Sequence, residues 1–524
     1  MRSLLLLCLL FVHSLAFSQT WSDDVATIFY NKCAQCHHTG GIAPFSLMTF
    51  SEVSPNASFI YGAVNSEAMP PWPPDNNYQN YAHDRSLSAT EKTTVLNWIN
   101  NGAPEGNSAN TPPPPVFSNS TLLGNGDLEI QMPTYMSKAT AGNDDYACFV
   151  VPSNLPTDRK IRAIEIVPGN REIVHHALIF IDPTGASVTD SVGGDCAGPS
   201  SAGAALVMGY TPGSTPLTLP ATSPLKLGIP FPANSQVLFT MHYPDGSYGQ
   251  FDSTKVIFHF YPPGEPAVRD VSTANVLENW SFYLPPNQVT SVSAQYPSAG
   301  GLPANFSLLS VFPHMHLLGK SMKVYAEDGS PDTLKLINIP EWDFHWQGFY
   351  FFKTIQKAAI GMTLRAEAVY DNTSANPENP NNPPAAVFPG LNTTDEMMLV
   401  YAHYMLYQPG DENYNLDSLM SLGFQDLANE EYGEGLFTAY PNPFDASINL
   451  YSTAVASGDI VSVSIYDTHG KAIRQLMKAE SVSGESLHLI WNGENDHGEM
   501  VGSGMYFVSI NVNGVLSNQR ILKR

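Results

Sequence analysis

The sequence predicts a multidomain, mainly β protein with a small α-helical domain at its front, and three observations predict it. The chain has 524 residues, too many for one ordinary core, so three or four domains are expected. Amphipathic helical periodicity is confined to the stretch before residue 110. From there to about Tyr407 the chain consists of short apolar or alternating runs, such as Gln236-Val237-Leu238-Phe239-Thr240 and the strictly alternating Met362–Ala368. Pro-Gly, Asp-Gly and Asn-Pro punctuate these runs, the pattern of antiparallel β-sandwiches about two domains long.

Taken in order, residues 1–18 read as an export leader: Arg2, an apolar run from Leu4 to Val12, then Ala16-Phe17-Ser18. No other stretch is long and apolar enough to span a bilayer, so no transmembrane segment is expected. Ser22, Asp23 and Asp24 are placed to cap a short helix with Val25, Ile28 and Phe29 on its apolar face, which delivers Cys33 at its end. A second helix starts at a Ser88/Glu91 capping box, buries Val95, Trp98 and Ile99, and stops at Gly102 and Pro104. The consecutive prolines Pro112 to Pro115 make a stiff linker.

Cys33-Ala34-Gln35-Cys36-His37 has the spacing of covalent haem attachment. Two thiols a turn apart form thioethers with the haem vinyl groups, and the adjacent imidazole ligates iron. The competing readings are a zinc site, which would need a second ligand pair beyond His38, and a thioredoxin-like motif, which would need a βαβ context. Met69, on the proline-stiffened Met69–Pro74 loop, is the expected sixth iron ligand; Met48 competes, and a plain core methionine is the simplest alternative. The front domain is thus expected to be cytochrome c-like and to carry one covalent haem c.

A net charge of −24 argues against nucleic acid and against anionic membrane surfaces as partners. Of five cysteines, Cys8 leaves with the leader and Cys33 and Cys36 are assigned to haem. Cys148 and Cys196 remain, and in an oxidising compartment one disulfide is the simplest outcome, with two buried thiols as the alternative.

The β region carries His175-His176, His242 and His314-Met315-His316. Residues i and i+2 of a strand share a face, so His314 and His316 can chelate one ion. Neighbours point to opposite faces, so His175 and His176 meet one ion only at a strand end or bulge, with a third ligand such as His242. Imidazoles suit copper, zinc or iron, and a nearby thioether favours copper.

In order and spacing these histidines, with Leu317-Leu318-Gly319-Lys320 and Asp395-Glu396-Met397, resemble the copper type II, ascorbate-dependent monooxygenases, the family of the peptidylglycine α-hydroxylating and dopamine β-monooxygenases. The resemblance covers roughly Ser118 to Tyr407. It implies two jelly-roll-like β-sandwiches and two copper ions. His175, His176 and His242 would hold the electron-transfer copper, and His314, His316 and Met397 the catalytic one, with Met398 the neighbour most easily confused with Met397. O2, a small organic substrate and an external reductant or redox protein are the implied partners. Peptide-amidating members place an arginine two residues before the His-x-His pair and an asparagine two residues after the methionine ligand. Here those positions are Phe312 and Leu399. Tyr401 matches a substrate-site tyrosine, but the carboxylate clamp is missing, which disfavours peptide amidation and points to a more apolar substrate.

The tail, with Tyr440-Pro441-Asn442-Pro443-Phe444, Trp491-Asn492-Gly493 and Gly504-Met505-Tyr506-Phe507, resembles the sorting domain of type IX secretion substrates. That implies a β-sandwich of about seven strands, contact with the secretion machinery, and a secreted or cell-surface location. The expected divisions are a leader 1–18, a haem domain 19–110, a linker 111–117, β-sandwiches 118–265 and 266–410, a linker 411–435 and a sorting domain 436–524. Two functions from different classes fit: a copper-dependent monooxygenase fed electrons by its fused cytochrome, or a non-catalytic haem and copper electron-transfer surface protein.

Overall fold

The computed structural model describes residues 19–523 except 40, 42, 113, 116–120, 142, 197, 331–332, 391, 421–436, 441–443, 445, 453–454, 468–470, 483–486, 503 and 514. The leader, part of the proline linker, most of the 411–435 linker and the motif prolines Pro441 and Pro443 therefore lie outside the described residues. The described residues divide between two compact units, the first drawn from Met1–Thr39, Ala43–Pro70 and Ser86–Val116 and the second from Gly40–Ile42, Pro71–Arg85 and Phe117–Arg524.

The first unit is helical. Trp21–Val25 forms a π-helical turn that runs into the helix Ala26–Lys32, followed by Phe50–Val53, Ala57–Asn65 and Ala89–Asn100. The cap of the first helix falls on Thr20, whose hydroxyl accepts the Asp23 N–H. Ser22 does not cap it, because its hydroxyl is turned inward to donate to the Glu105 carbonyl at 2.8 Å. The Ser88/Glu91 capping box forms as expected, and Val95 and Trp98 are buried below it. Trp21 organises the core, with its ring 5.3 Å from Phe29, 6.0 Å from Tyr30 and 6.1 Å from Trp98. Cys33, at the end of Ala26–Lys32, packs against this core.

The second unit is mainly β, and among the described residues its sheets pair into three cores. In the first core, a sheet with the order Leu128–Gln131, Lys255–Phe260, Arg159–Val167, Lys226–Phe231, Val268–Asp270 shares buried residues with a sheet ordered Asp145–Pro152, Gln236–Tyr243, His176–Asp182, Ala205–Tyr210. Val268–Asp270 lies past the expected boundary at 265/266 yet pairs in parallel with Lys226–Phe231 of this first core. The second core lies between Ser272–Glu278, Leu399–Leu406, Phe306–His314, Tyr350–Ala358 and a sheet ordered Gln288–Tyr296, Thr363–Asn372, Gly319–Glu327, Leu334–Ile339. The third is formed by seven strands between Thr438 and Lys523.

Two segments depart from the expected divisions. Residues 71–85, read as haem domain, lie with the β unit, where Tyr81 pairs with Phe352 and is buried in the second core. Residues 411–420, read as linker, are packed: Leu416 and Met420 are buried in the first core, and Asp411 pairs with Arg269 at 2.6 Å. Apolar side chains spaced among polar ones in a short segment carry too little periodicity to separate linker from docked strap. Among the described residues no helix is long and apolar enough to cross a membrane.

Candidate metal centre

Sheet register builds the first histidine set. His242 pairs across the sheet with Tyr146 on one side and with His176 on the other, so the three side chains stand in a row on one face. His175 immediately precedes the strand His176–Asp182, and its N–H donates to the His242 carbonyl at 3.0 Å. Leaving the pleat at this strand end turns it onto the same ion position as its neighbour. The Nδ1 atoms of His175, His176 and His242 lie 3.0 to 3.3 Å from one another. A triangle of that size accepts an ion within the ~2 Å reach of an imidazole nitrogen. Burial holds all three rings neutral, His175 down to about 4 and the other two well below the usual histidine value. Neutral imidazoles packed this close have lone pairs that only a shared proton or a cation satisfies, so the donor set fits a metal.

Asp144 fixes the tautomer of His242. The His242 Nε2–H donates to Asp144 Oδ2 at 2.7 Å, which leaves Nδ1 as the donor to metal. Tyr146 stacks on the His242 ring at 4.3 Å with 6° between planes, and its hydroxyl meets the Thr393 hydroxyl at 2.5 Å.

The second set gathers around the end of Phe306–His314. The strand stops at His314, so His316 is not its same-strand partner as expected but follows in the turn; their rings are nevertheless 5.1 Å apart. The His314 Nδ1–H donates to Gln347 Oε1 at 2.6 Å, and the His316 Nδ1–H to the Asp395 carbonyl at 3.1 Å. Both therefore keep Nε2 for a ligand. Burial holds His314 down to about 4 and His316 to about 3. Met397 is buried two residues ahead of Leu399, which pairs directly with His314. Met398 instead packs into the second core, which supports Met397 as the available thioether. Glu396 carries this corner. Its carboxylate accepts N–H bonds from Leu318 at 2.6 Å, His316 at 2.9 Å and Met397 at 3.2 Å, while burial pushes its carboxyl up to about 8.

Phe344 lies against both sets, its ring 6.0 Å from His316, 6.3 Å from His242 and 6.4 Å from His175. A cavity of about 30 Å³ is lined by His176, Leu178, Tyr210, Phe312, His314 and Gln347, among others, with no carboxylate, lysine or arginine in its wall. Phe312 pairs with Tyr401 in register and stacks on it at 6.1 Å. Below them Cys148 and Cys196 form a disulfide whose cluster includes Phe312. A larger cleft of about 350 Å³ near Arg159, Lys160 and Tyr261 contains none of these histidines.

In the first unit Cys33 and Cys36 are not joined in a disulfide. The Cys36 and His37 N–H groups both donate to the Cys33 carbonyl, at 3.2 and 3.0 Å, which folds the motif into one turn. The His37 Nδ1–H donates to the Phe45 carbonyl at 3.0 Å and frees Nε2 for iron. Burial and the neighbouring Cys36 push the Cys33 thiol up to about 12. The two thiols and the His37 Nε2 lone pair are the groups that a covalent haem would use. Met69 is 37% exposed, while Met48 donates its N–H to Glu52 at 2.9 Å.

Sequence reasoning missed Asp144, Tyr146, Gln347, Phe344 and His345. Their places are set by cross-strand register and by one loop, and no local spacing marks them.

The two β-sandwiches each present a histidine set, and one of these, His175, His176 and His242, has the spacing of a metal-binding site. Residues 275–422, which hold His314, His316, Met397 and Tyr401, match the copper type II ascorbate-dependent monooxygenase C-terminal domain. The chain is 25% identical to DBH-like monooxygenase protein 1 of Mus musculus over 55% of its own length and 48% of that protein. It is 24% identical to tyramine beta-hydroxylase of Caenorhabditis briggsae over 46% and 41%. It thus spans about half or less of the curated relatives it matches. Residues 438–524 match the secretion system C-terminal sorting domain, which marks the chain for export by type IX secretion to the cell surface or beyond. A solved structure of dimeric latent PorU from Porphyromonas gingivalis is similar at 12% identity, covering 71% of this chain and 34% of that one, but its TM-score of 0.16 carries no argument about fold.

Proposed function

We propose that this chain is an exported two-copper monooxygenase that hydroxylates a C–H bond of a small, apolar organic substrate, with a haem c in its first unit as internal electron donor. The observation that carries the reading is the pair of histidine sets, both neutral and both oriented by second hydrogen bonds, facing one phenylalanine within one unit. Copper at the two sets supplies the redox chemistry, in which R–H, O2, two electrons and two protons give R–OH and water. His175, His176 and His242 hold the electron-transfer ion through Nδ1, with Asp144 fixing the tautomer. His314 and His316, through Nε2, and the Met397 thioether hold the catalytic ion, with Gln347 and the Asp395 carbonyl orienting the imidazoles.

Leu178 and Phe312 line the small space beside His314, with Tyr401 stacked on Phe312 behind it. A wall without charged side chains offers neither a cation to a carboxylate nor an anion to an amine, so the substrate is held by shape and apolar contact. Two jelly-roll-like sandwiches are the architecture that the family resemblance attaches to this chemistry. The haem reading rests on Cys33, Cys36 and His37, with Met69 as sixth ligand. It gives the electrons a tethered source beside any external reductant. The test is turnover under ¹⁸O2 with reductant and a panel of small apolar hydrocarbons. One ¹⁸O atom in an alcohol product supports the enzyme; electron exchange without O2 uptake supports the non-catalytic electron-transfer reading instead.

A further inference from the structure

The loop that carries Phe344 brings a fourth imidazole to the first histidine set. The His345 ring lies 5.3 Å from that of His175, nearly perpendicular to it. The three rings of the set are themselves 4.4, 4.7 and 5.5 Å apart, so His345 stands from His175 at the spacing these ligands keep from each other, on the outer side of the close group that His175, His176 and His242 form. It differs from them in two respects. Its side chain is 54% exposed where His242 is buried, and its Nδ1–H donates to Asp343 Oδ1 at 3.0 Å. The carboxylate fixes the tautomer with the lone pair on Nε2, the same arrangement by which Asp144 prepares His242 from the other nitrogen.

Resting on the reading of His175, His176 and His242 as a copper site, we infer that His345 is a fourth, oxidation-state-dependent ligand of that copper. Three converging imidazoles are a complete set for Cu(I), whereas Cu(II) favours tetragonal coordination with a further nitrogen or oxygen donor. A half-exposed side chain on a loop has the freedom to join and leave that His176 and His242, on paired strands, and His175, tied by its N–H to the His242 carbonyl, lack. Gln347, which orients His314, lies two residues further along the same loop.

The experiment uses the full chain with His314→Ala, which leaves the first set as the copper site under study. X-ray absorption and pulsed EPR should count four imidazoles on Cu(II), falling to three with His345→Ala, while the Cu(I) form shows three in both. Cu(II) affinity should fall about tenfold in His345→Ala and less in Asp343→Asn, with Cu(I) affinity little changed. Identical Cu(II) spectra and affinities with and without His345 would overturn the inference while leaving the copper site standing. Copper binding indifferent to His242→Ala would overturn the underlying reading, and this one with it.

Discussion

Replacing Glu396 should both destabilise the second sandwich and empty its metal site. The carboxylate is completely buried and accepts the N–H groups of His316, Leu318 and Met397. Glu396→Ala leaves three buried donors without an acceptor, and each costs about 1–3 kcal/mol if nothing replaces it. Partial relaxation and entry of water into the space lower the sum, so a loss of about 3–6 kcal/mol is expected. Glu396→Gln keeps the shape but turns an NH2 group toward backbone donors, and should fall between alanine and wild type. Two of the three donors belong to His316 and Met397, so copper should be lost from this site before the His242 site. Denaturant unfolding of the full chain, followed together with copper content, checks both statements; the exposed Lys255–Glu129 pair, whose removal should cost under about 1 kcal/mol, is the control. A Glu396→Ala protein with the stability and copper content of wild type would refute the argument that this carboxylate holds the corner together.

Removing the Cys148–Cys196 disulfide, which closes a sequence separation of 48 residues, should cost about 4 kcal/mol by the loop-entropy relation, seen as a lower thermal transition of the first sandwich; an unmoved transition would contradict it. Asp182 accepts hydrogen bonds from the N–H and hydroxyl of both Thr184 and Ser187, which hold its carboxyl down to about 2. A depressed value means that its stabilisation, about 2 kcal/mol, is full above about pH 4 and disappears as pH falls through 2. Asp182→Asn should therefore lose stability at neutral pH and flatten the acid limb of the stability profile. Met69→Ala should keep haem attached but change the optical signature of the sixth ligand and lower the potential, and an unchanged spectrum would move the assignment to Met48.

The two sets are assigned from the order of histidines that the family resemblance carries; the structure brings His175, His176 and His242 together and sets the His314 and His316 rings 5.1 Å apart. The pleat left a strand end or a bulge for His175, and the structure has the strand end. His316 did not follow the same rule, since the strand ends at His314 and a turn brings the rings together. The partners that tune the ligands were hidden for a different reason. Tyr146, on the strand Asp145–Pro152, and Asp144, just before it, reach His242 from about a hundred residues earlier, through a pairing that no local pattern encodes. His345 and Gln347 lie on a loop between strands, where periodicity carries no information. Residues 71–85 and 411–420 misled for a related reason: short straps dock by a few apolar side chains, such as Tyr81, Leu416 and Met420, and sequence gives these no partner.

The central claim is that two separate copper sites are built from these two sets of ligands. Copper per chain, measured by mass spectrometry on protein loaded under reducing conditions and freed of loose metal, tests it most directly. The account predicts two in wild type, one in His242→Ala, one in His314→Ala and none in the double variant. A single copper in wild type, or two retained in either single variant, would contradict it.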